Sequence, residues 1–443
     1  RHSSRQPCWR RTIQGNTRVL RQLLAYRNRL FILLLLNSGC LFLTDNKEAG
    51  LPYLRELYLL GIMATSALLL VAWKRLYQSK TSLWILFFGV ALPLASAGLA
   101  KLNFGQPLIY GLLEERRSFA FLVFFPTLLL LIKTAPSQQQ LEKFFLYSGL
   151  ACTAVGYLYY LGIIPVNTNI AFEVDAKDFG PLRPDRYRIG SAYVGLCAFM
   201  LMYRLKQRVS LAALGLLLYF SAYLWLVLQT RQSMLIWVLA GLWIFRDRVD
   251  SLLKVGLLGS ALLVVSYLLF PEFYYQQYLK FNALLFEATS GPGVRSTTAA
   301  IALEAVAENW YIGLGALSLQ WNGGFSSLYN PHFYLSDVGI FGVYYRFGLL
   351  TPAIALVYYL GFLRLMKKCP DKGHLLHAFQ LSFVFSLLNF AMSNALMYGG
   401  STLGVAAASF LYYAKLQIPA RSINRNRGWM NHDKLQHRHY KLE

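Results

Sequence analysis

The stretch SMLIWVLAGLWIFRDRVDSLLKVGLLGSALLVVSYLLF, residues 233–270, decides how the rest of the chain is read. Two apolar runs, 233–245 and 255–270, flank a connection that carries Arg246, Arg248 and Lys254. Neither run alternates polar with apolar residues, as a half-buried strand does, and neither leaves a polar stripe for water. A helix that is apolar all round belongs in hydrocarbon, and a basic connection between two such helices belongs on the cytoplasmic face.

The same grammar repeats on both sides of this hairpin. A crossing helix needs about 20 predominantly apolar residues. Segments of roughly that kind occupy 30–43, 56–73, 83–100, 118–132, 144–164, 189–203, 211–228, 233–245, 255–270, 339–363, 378–397 and 402–416. Twelve spans put both termini on one side. Alternate connections then hold Lys74, Arg75 and Lys80; Lys133 and Lys143; Arg204, Lys206 and Arg208; the Arg246 connection; and Arg364, Lys367, Lys368 and Lys372. With Lys415 and the basic tails 1–29 and 417–443, this side collects 30 of the 43 Lys and Arg. Every connection assigned to the cytoplasm obeys the positive-inside rule.

Composition agrees. Of the 443 residues 56% are hydrophobic and 14% charged, against roughly 25% charged in soluble domains. The net charge of +23 is therefore a matter of topology and inner-leaflet contact, and nucleic acid is not an expected partner. The first span follows a basic segment and shows no A-x-A-like site, so it reads as a signal anchor. The five cysteines, Cys8, Cys40, Cys152, Cys197 and Cys369, have no metal spacing and fall in spans or on the cytoplasmic side. The expectation is an all-α polytopic membrane protein, one membrane domain over 1–443, without the internal repeats of an inverted-repeat transporter.

Three segments on the outer side stand apart. Residues 101–117 end in EERR, 165–188 are polar and loop-like, and 271–338 form the longest piece between spans. Length of that order usually marks function. Inside it Phe273, Tyr274, Tyr278, Phe281, Leu284 and Leu285 recur near helical spacing, which predicts a helix lying in the interface. After SGPG, a second helix is predicted from about Arg295 to Trp310, stopping near Gly313.

Cations on this side run against the topological bias and are the first chemical signal. Arg183, Arg186 and Arg188 precede the sixth span, Arg231 sits in the turn QTRQS, and Arg295 stands with Ser296, Thr297 and Thr298 at a helix start. Guanidinium groups beside free helix N–H groups suit a pyrophosphate. The alternative is pairing with Asp175, Asp178, Asp185, Glu304 or lipid phosphates. Arg346 lies about two turns inside the tenth span, where a charge marks either a functional site or a buried ion pair. His332, in YNPHFYLSDVGIFG (329–342), is the sole histidine this topology places outside. An imidazole with an ordinary pKa near 6.5 can take a proton from a hydroxyl near neutral pH; Asp337 and Glu304 are competing bases. No His, Asp and Glu pattern outside has metal spacing.

The order of these motifs carries a resemblance. A polar loop with RYRIG, then QTRQSMLIWVLAG, then VRSTTAAIALEAVAENWYIGLGA, then NPHFYLSDVGIFGVYYRFGLL resembles the O-antigen polymerase/ligase superfamily, most strongly over about 186–350. The resemblance implies about twelve transmembrane helices of GT-C-type architecture, with a large periplasmic loop carrying short helices. It implies an inverting, metal-independent glycosyltransferase of the bacterial inner membrane, without cofactor, polymerising undecaprenyl-pyrophosphate-linked oligosaccharide repeat units at the periplasmic face. His332 becomes the base, Arg231 and Arg295 the pyrophosphate ligands, and Arg188 or Arg186 a further one; Arg346, Asp337 and Asn330 are supporting candidates. Membrane lipid and a chain-length regulator are the other implied partners. Where the family often has Asn after the histidine, this chain has Phe333, with Asn330 two residues before. A ligase acting on lipid A–core uses the same donor, and a lipid-linked glycan flippase is the rival of another class.

Overall fold

In the computed structural model, residues 25–42, 50–73, 79–165, 186–279, 294–330, 333–369, 372–392 and 399–416 are described, with backbone alone at 231, 251, 252, 294, 337, 389, 391 and 392. Among them no strand forms beyond a single bridge between Phe42 and Leu51. The helices are α1 (25–37), α2 (Leu54–Ala72), α3 (Lys80–Phe104), α4 (Leu108–Thr134), α5 (Gln138–Tyr160), α6 (Ser191–Gln207), α7 (Leu211–Leu228) and α8 (Arg231–Phe245). They continue with α9 (Val249–Leu269), α10 (Pro271–Leu279), α11 (Val294–Glu308), α12 (Gly324–Leu328), α13 (Ile340–Lys367), α14 (His374–Met392) and α15 (Gly400–Leu416).

Local chemistry sets several boundaries. Ser79 and Ser210 accept hydrogen bonds from the backbone N–H groups of Ser82 and Ala213, and Ser137 with Gln140 forms a reciprocal capping box, each satisfying N–H groups that a helix start leaves open. Gly105, at φ 73°, ends α3 and Pro107 precedes α4. The segment 101–117 is therefore largely helical. It is the meeting of two long helices, and its EERR run lies inside α4.

Five helices, α2, α3, α4, α7 and α13, are long and apolar enough to cross a membrane, and α9 with α10 makes a sixth if the pair, bent by 102°, is counted as one span. The bend turns α10, which carries Phe273, Tyr274 and Tyr278, sharply away from α9. Leu57, Leu68, Val71, Leu257 and Leu268 are exposed on the helix surfaces, a covering that suits lipid rather than water. Phe281, Leu284, Leu285, residues 1–24 of the first tail and all of 417–443 lie outside the described residues.

Polar contacts knit the bundle at two opposite ends. At one, Arg204 Nη2 of α6 donates to Glu142 Oε2 of α5 at 2.8 Å, and His374 Nδ1 of α14 stands 3.4 Å from the same oxygen. Lys206 pairs with Asp247 at 3.5 Å, and Tyr413 Oη of α15 donates to the Pro136 carbonyl at 3.0 Å. The basic connections thus cluster at this end. Burial pushes the Glu142 carboxyl up, but His374 and then Arg204 outweigh it and hold its pKa below the usual carboxylate value. A depressed carboxyl contributes stability that is full above its unfolded pKa, about 4.3, and is lost as pH falls through the lower folded value. Unfolding measured against pH in detergent is expected to show this acid loss. The loss should be smaller in Glu142→Gln, and an identical profile for the two proteins would contradict it.

The other end holds the unusual backbone. After α11 the chain runs as a non-helical strap through Gly313–Ser318, buried throughout. Leu314 and Gly315 donate to the carbonyls of Tyr345 and Arg346 at 2.8 and 3.2 Å. Gln106 Nε2 donates to the Ala316 carbonyl at 3.2 Å and its Oε1 accepts from Ser318 N–H at 2.8 Å. Irregular backbone in such a protein must have its polar groups satisfied by protein, and α3, the α3–α4 junction and α13 do so here. Above the strap, Ala302 and Val306 of α11 pack with Leu314, Leu317, Phe325, Phe333, Leu335 and Tyr345 in a small second core.

Candidate anion-binding site

The strap end of the bundle carries a cavity of about 310 Å³. Its floor is a hydrogen-bonded hub. Asn37 Nδ2 at the end of α1 donates to Tyr193 Oη of α6 at 2.8 Å and to the Ser401 carbonyl of α15 at 3.1 Å. Tyr58 Oη of α2 donates to Asn37 Oδ1 at 2.8 Å. One amide therefore fixes four helices around the cavity. Gly190 (φ 63°) turns the chain into α6, and a Cβ there would meet the Cys152 thiol of α5, so this turn requires glycine.

Three arginines from three elements line the cavity: Arg55 on α2, Arg117 on α4 and Arg188 just before α6. Among the described residues no carboxylate lines it. Arg55 pairs with Glu56 at 3.5 Å, and the same carboxylate stands 3.8 Å from Arg116. The first turn of α6, Ser191 and Ala192, and Ser401 in the first turn of α15 also line it. Backbone N–H groups at a helix start have no intrahelical acceptor, so these turns add donors to the guanidinium groups.

The cations expected from the sequence divide here. Arg188 is exposed and reaches the cavity. Arg186 does not: its Nε donates to the Leu228 carbonyl at 3.2 Å, and beside it Tyr187 N–H donates to Val227 O at 2.9 Å. Arg186 thus ties the pre-α6 segment to the end of α7. Arg231 is the first residue of α8, immediately beyond that tie. Arg295 is exposed in the first turn of α11 and is not among the cavity residues. Asn330 is half-buried, and its carbonyl accepts from Phe333 N–H at 3.2 Å. His332 lies outside the described residues, and Asp337 closes a short turn before α13.

Arg346 is the buried ion pair of the two sequence readings. Its Nε donates to Glu115 Oε1 at 2.7 Å and its Nη1 to the Gly342 carbonyl at 3.1 Å, while Ser96 Oγ donates to the same Glu115 oxygen at 2.8 Å. Both charged side chains are buried. Arg55 and Arg117 were not singled out from the sequence. Their signal was present, since both are arginines at outer ends of spans, but only the fold shows that α2 and α4 bring them to Arg188. No known protein family, curated protein or solved structure matches the chain.

Proposed function

We propose that the protein is a membrane-embedded, inverting glycosyltransferase of GT-C-type architecture with about twelve transmembrane helices. It draws glycan from an undecaprenyl-pyrophosphate-linked donor at the periplasmic face of the bacterial inner membrane. The observation that supports this best is the placement of Arg188. It stands on a cation-lined cavity at the end of the bundle opposite the basic connections, where a lipid headgroup would meet the protein. Arg346, buried within the fold, is neutralised by Glu115, whereas a transport pathway uses uncompensated charge near the midplane.

In this reading the arginines stabilise charge developing on the leaving pyrophosphate. His332 takes the proton of the acceptor hydroxyl, which attacks the anomeric carbon from the face opposite the pyrophosphate. The acceptor is a second lipid-linked repeat unit, making the protein a polymerase. A ligase acting on lipid A–core shares the donor and is the second reading, and a flippase is the third. The test is purified protein in detergent with a defined lipid-linked repeat unit, alone or with lipid A–core. A ladder of products is expected; a single transfer to core would replace polymerase with ligase, and no transfer to either acceptor would overturn the enzyme. His332→Ala is expected to abolish the ladder, and full turnover by that variant would remove His332 as the base.

A further inference from the structure

We propose that Cys40 and Cys152 are a redox pair that closes into a disulfide, pinning the end of α1 to α5 beside the Asn37 hub. The two thiols come from distant parts of the chain and stand within hydrogen-bonding distance of each other. Ser38 Oγ sits beside them: it accepts from Cys152 Sγ at 3.1 Å and donates to the Leu35 carbonyl at 2.6 Å. The Cys40 thiol donates to the same carbonyl at 3.7 Å. Both cysteines are buried and free, and the transfer chemistry proposed above uses neither. A buried thiol in apolar surroundings is ordinarily inert, and Cys197 fits that description, donating to the Phe145 carbonyl at 3.3 Å. Cys40 and Cys152 differ because each has a second thiol within reach.

Bonded sulfurs stand about 2.0 Å apart, so the pair must move together to close. Cys152 has little room, since Gly190 packs directly against its side chain. Cys40 lies in the turn that ends α1, just after Gly39 at φ 73°, so it can shift without breaking a helical hydrogen bond. On closure each thiol gives up its proton, the S–S bond forms, and an oxidant takes two protons and two electrons. Burial excludes a bulky charged oxidant. The class that fits is a lipid-soluble two-electron acceptor, a quinone, which leaves as the hydroquinone. The Asn37 amide already joins α1, α2, α6 and α15; the bridge adds α5 and makes that link covalent. Closing so long a loop of chain also restricts the unfolded state. The inference rests on the proposed function only for placing this end of the bundle in the periplasm, where disulfides persist.

The experiment treats the purified full chain in detergent with diamide, a small uncharged thiol oxidant. Free thiols are then blocked with one maleimide in SDS, the remaining disulfides are reduced, and the released thiols take a second maleimide for peptide mass spectrometry. Cys40 and Cys152 are expected to carry the second label to equal extents while Cys197 and Cys369 carry the first. Without the reduction step, one peptide pair joined through Cys40 and Cys152 should appear. The SDS concentration for half-unfolding should rise on oxidation and return to its starting value with dithiothreitol. In Cys40→Ser, Cys152 should keep the first label and the SDS midpoint should not respond to diamide. If that variant does not elute as a folded species, Cys152→Ala read at Cys40 replaces it, and the wild-type peptide map needs neither. Native protein whose two thiols stay reduced, under conditions that oxidise the SDS-denatured chain, overturns the pair. A bridge from either cysteine to Cys197 does so too, and a Cys40–Cys152 bridge with an unchanged SDS midpoint overturns the pinning. Bridge formation with no glycan product from wild type keeps the pair and removes only the transferase. Glycan product from protein whose thiols do not bridge does the reverse.

Discussion

Replacing Glu115 with alanine is expected to destabilise the protein by about 3–5 kcal/mol, the usual cost of stranding one partner of a buried ion pair. The pair joins residues 231 positions apart in sequence, and Arg346 is 2% exposed and Glu115 fully buried. Without the carboxylate, Arg346 keeps the Gly342 carbonyl at 3.1 Å but has lost the charge that offsets its desolvation. The Ser96 hydroxyl loses its acceptor as well. Glu115 Oε2 accepts no hydrogen bond among the described residues, so half of the carboxylate is already costly and the pair is held mainly through Oε1. This makes the double replacement informative. Glu115→Leu with Arg346→Met removes both charges and should cost much less than the two single changes together. Unfolding by SDS in mixed micelles checks both statements. A Glu115→Ala protein that unfolds with the wild type would show that the two charges do not depend on each other.

That pair also marks how far one sequence can be read. Long apolar runs are local signals, so the described parts of the twelve expected segments are largely helical, while five helices, or six with the bent pair, are long and apolar enough to cross a membrane. Arg346 announced itself by its depth in a span. Its partner did not, because EERR at 114–117 has the composition of a solvated turn, and only the packing of α3, α4 and α13 buries Glu115 while leaving Arg117 on the cavity. The same limit applies to the arginines before α6. Arg186 and Arg188 look equivalent in DRYRIG, yet one is held by the Leu228 carbonyl and the other lines the cavity. That choice is made by the end of α7, some forty positions on in the chain. The convergence of Arg55 with Arg188 is equally non-local, since it depends on Asn37 joining α1, α2, α6 and α15.

Gly315→Ala is expected to be the other severe substitution, at a cost on the order of 2–5 kcal/mol. Gly315 has φ +78°, where a side chain costs about 1–2 kcal/mol. Its missing Cβ faces the Ser96 carbonyl and the Ala100 backbone of α3, and backbone cannot swing aside as a flexible side chain can. Forcing a methyl into such a contact costs typically about 1–3 kcal/mol more. Gly313 against the Arg346 carbonyl and Gly348 against the Tyr311 carbonyl make the same close approach, so the strap is clamped on two sides. Gly241, in α8 with nothing within 4 Å of its Cβ position, is the control, and Gly241→Ala should be neutral or slightly stabilising. The functional consequence separates the strap from the cavity. The strap connects α11, which bears Arg295, to the segment that leads through residues 329–342 into α13, whereas none of its residues lines the cavity. Gly315→Ala should therefore lower unfolding resistance and, under the transferase reading, glycan transfer, while the hub around Asn37 keeps its geometry. Wild-type resistance to SDS in Gly315→Ala would show that the strap yields to a methyl group and is not clamped against α3.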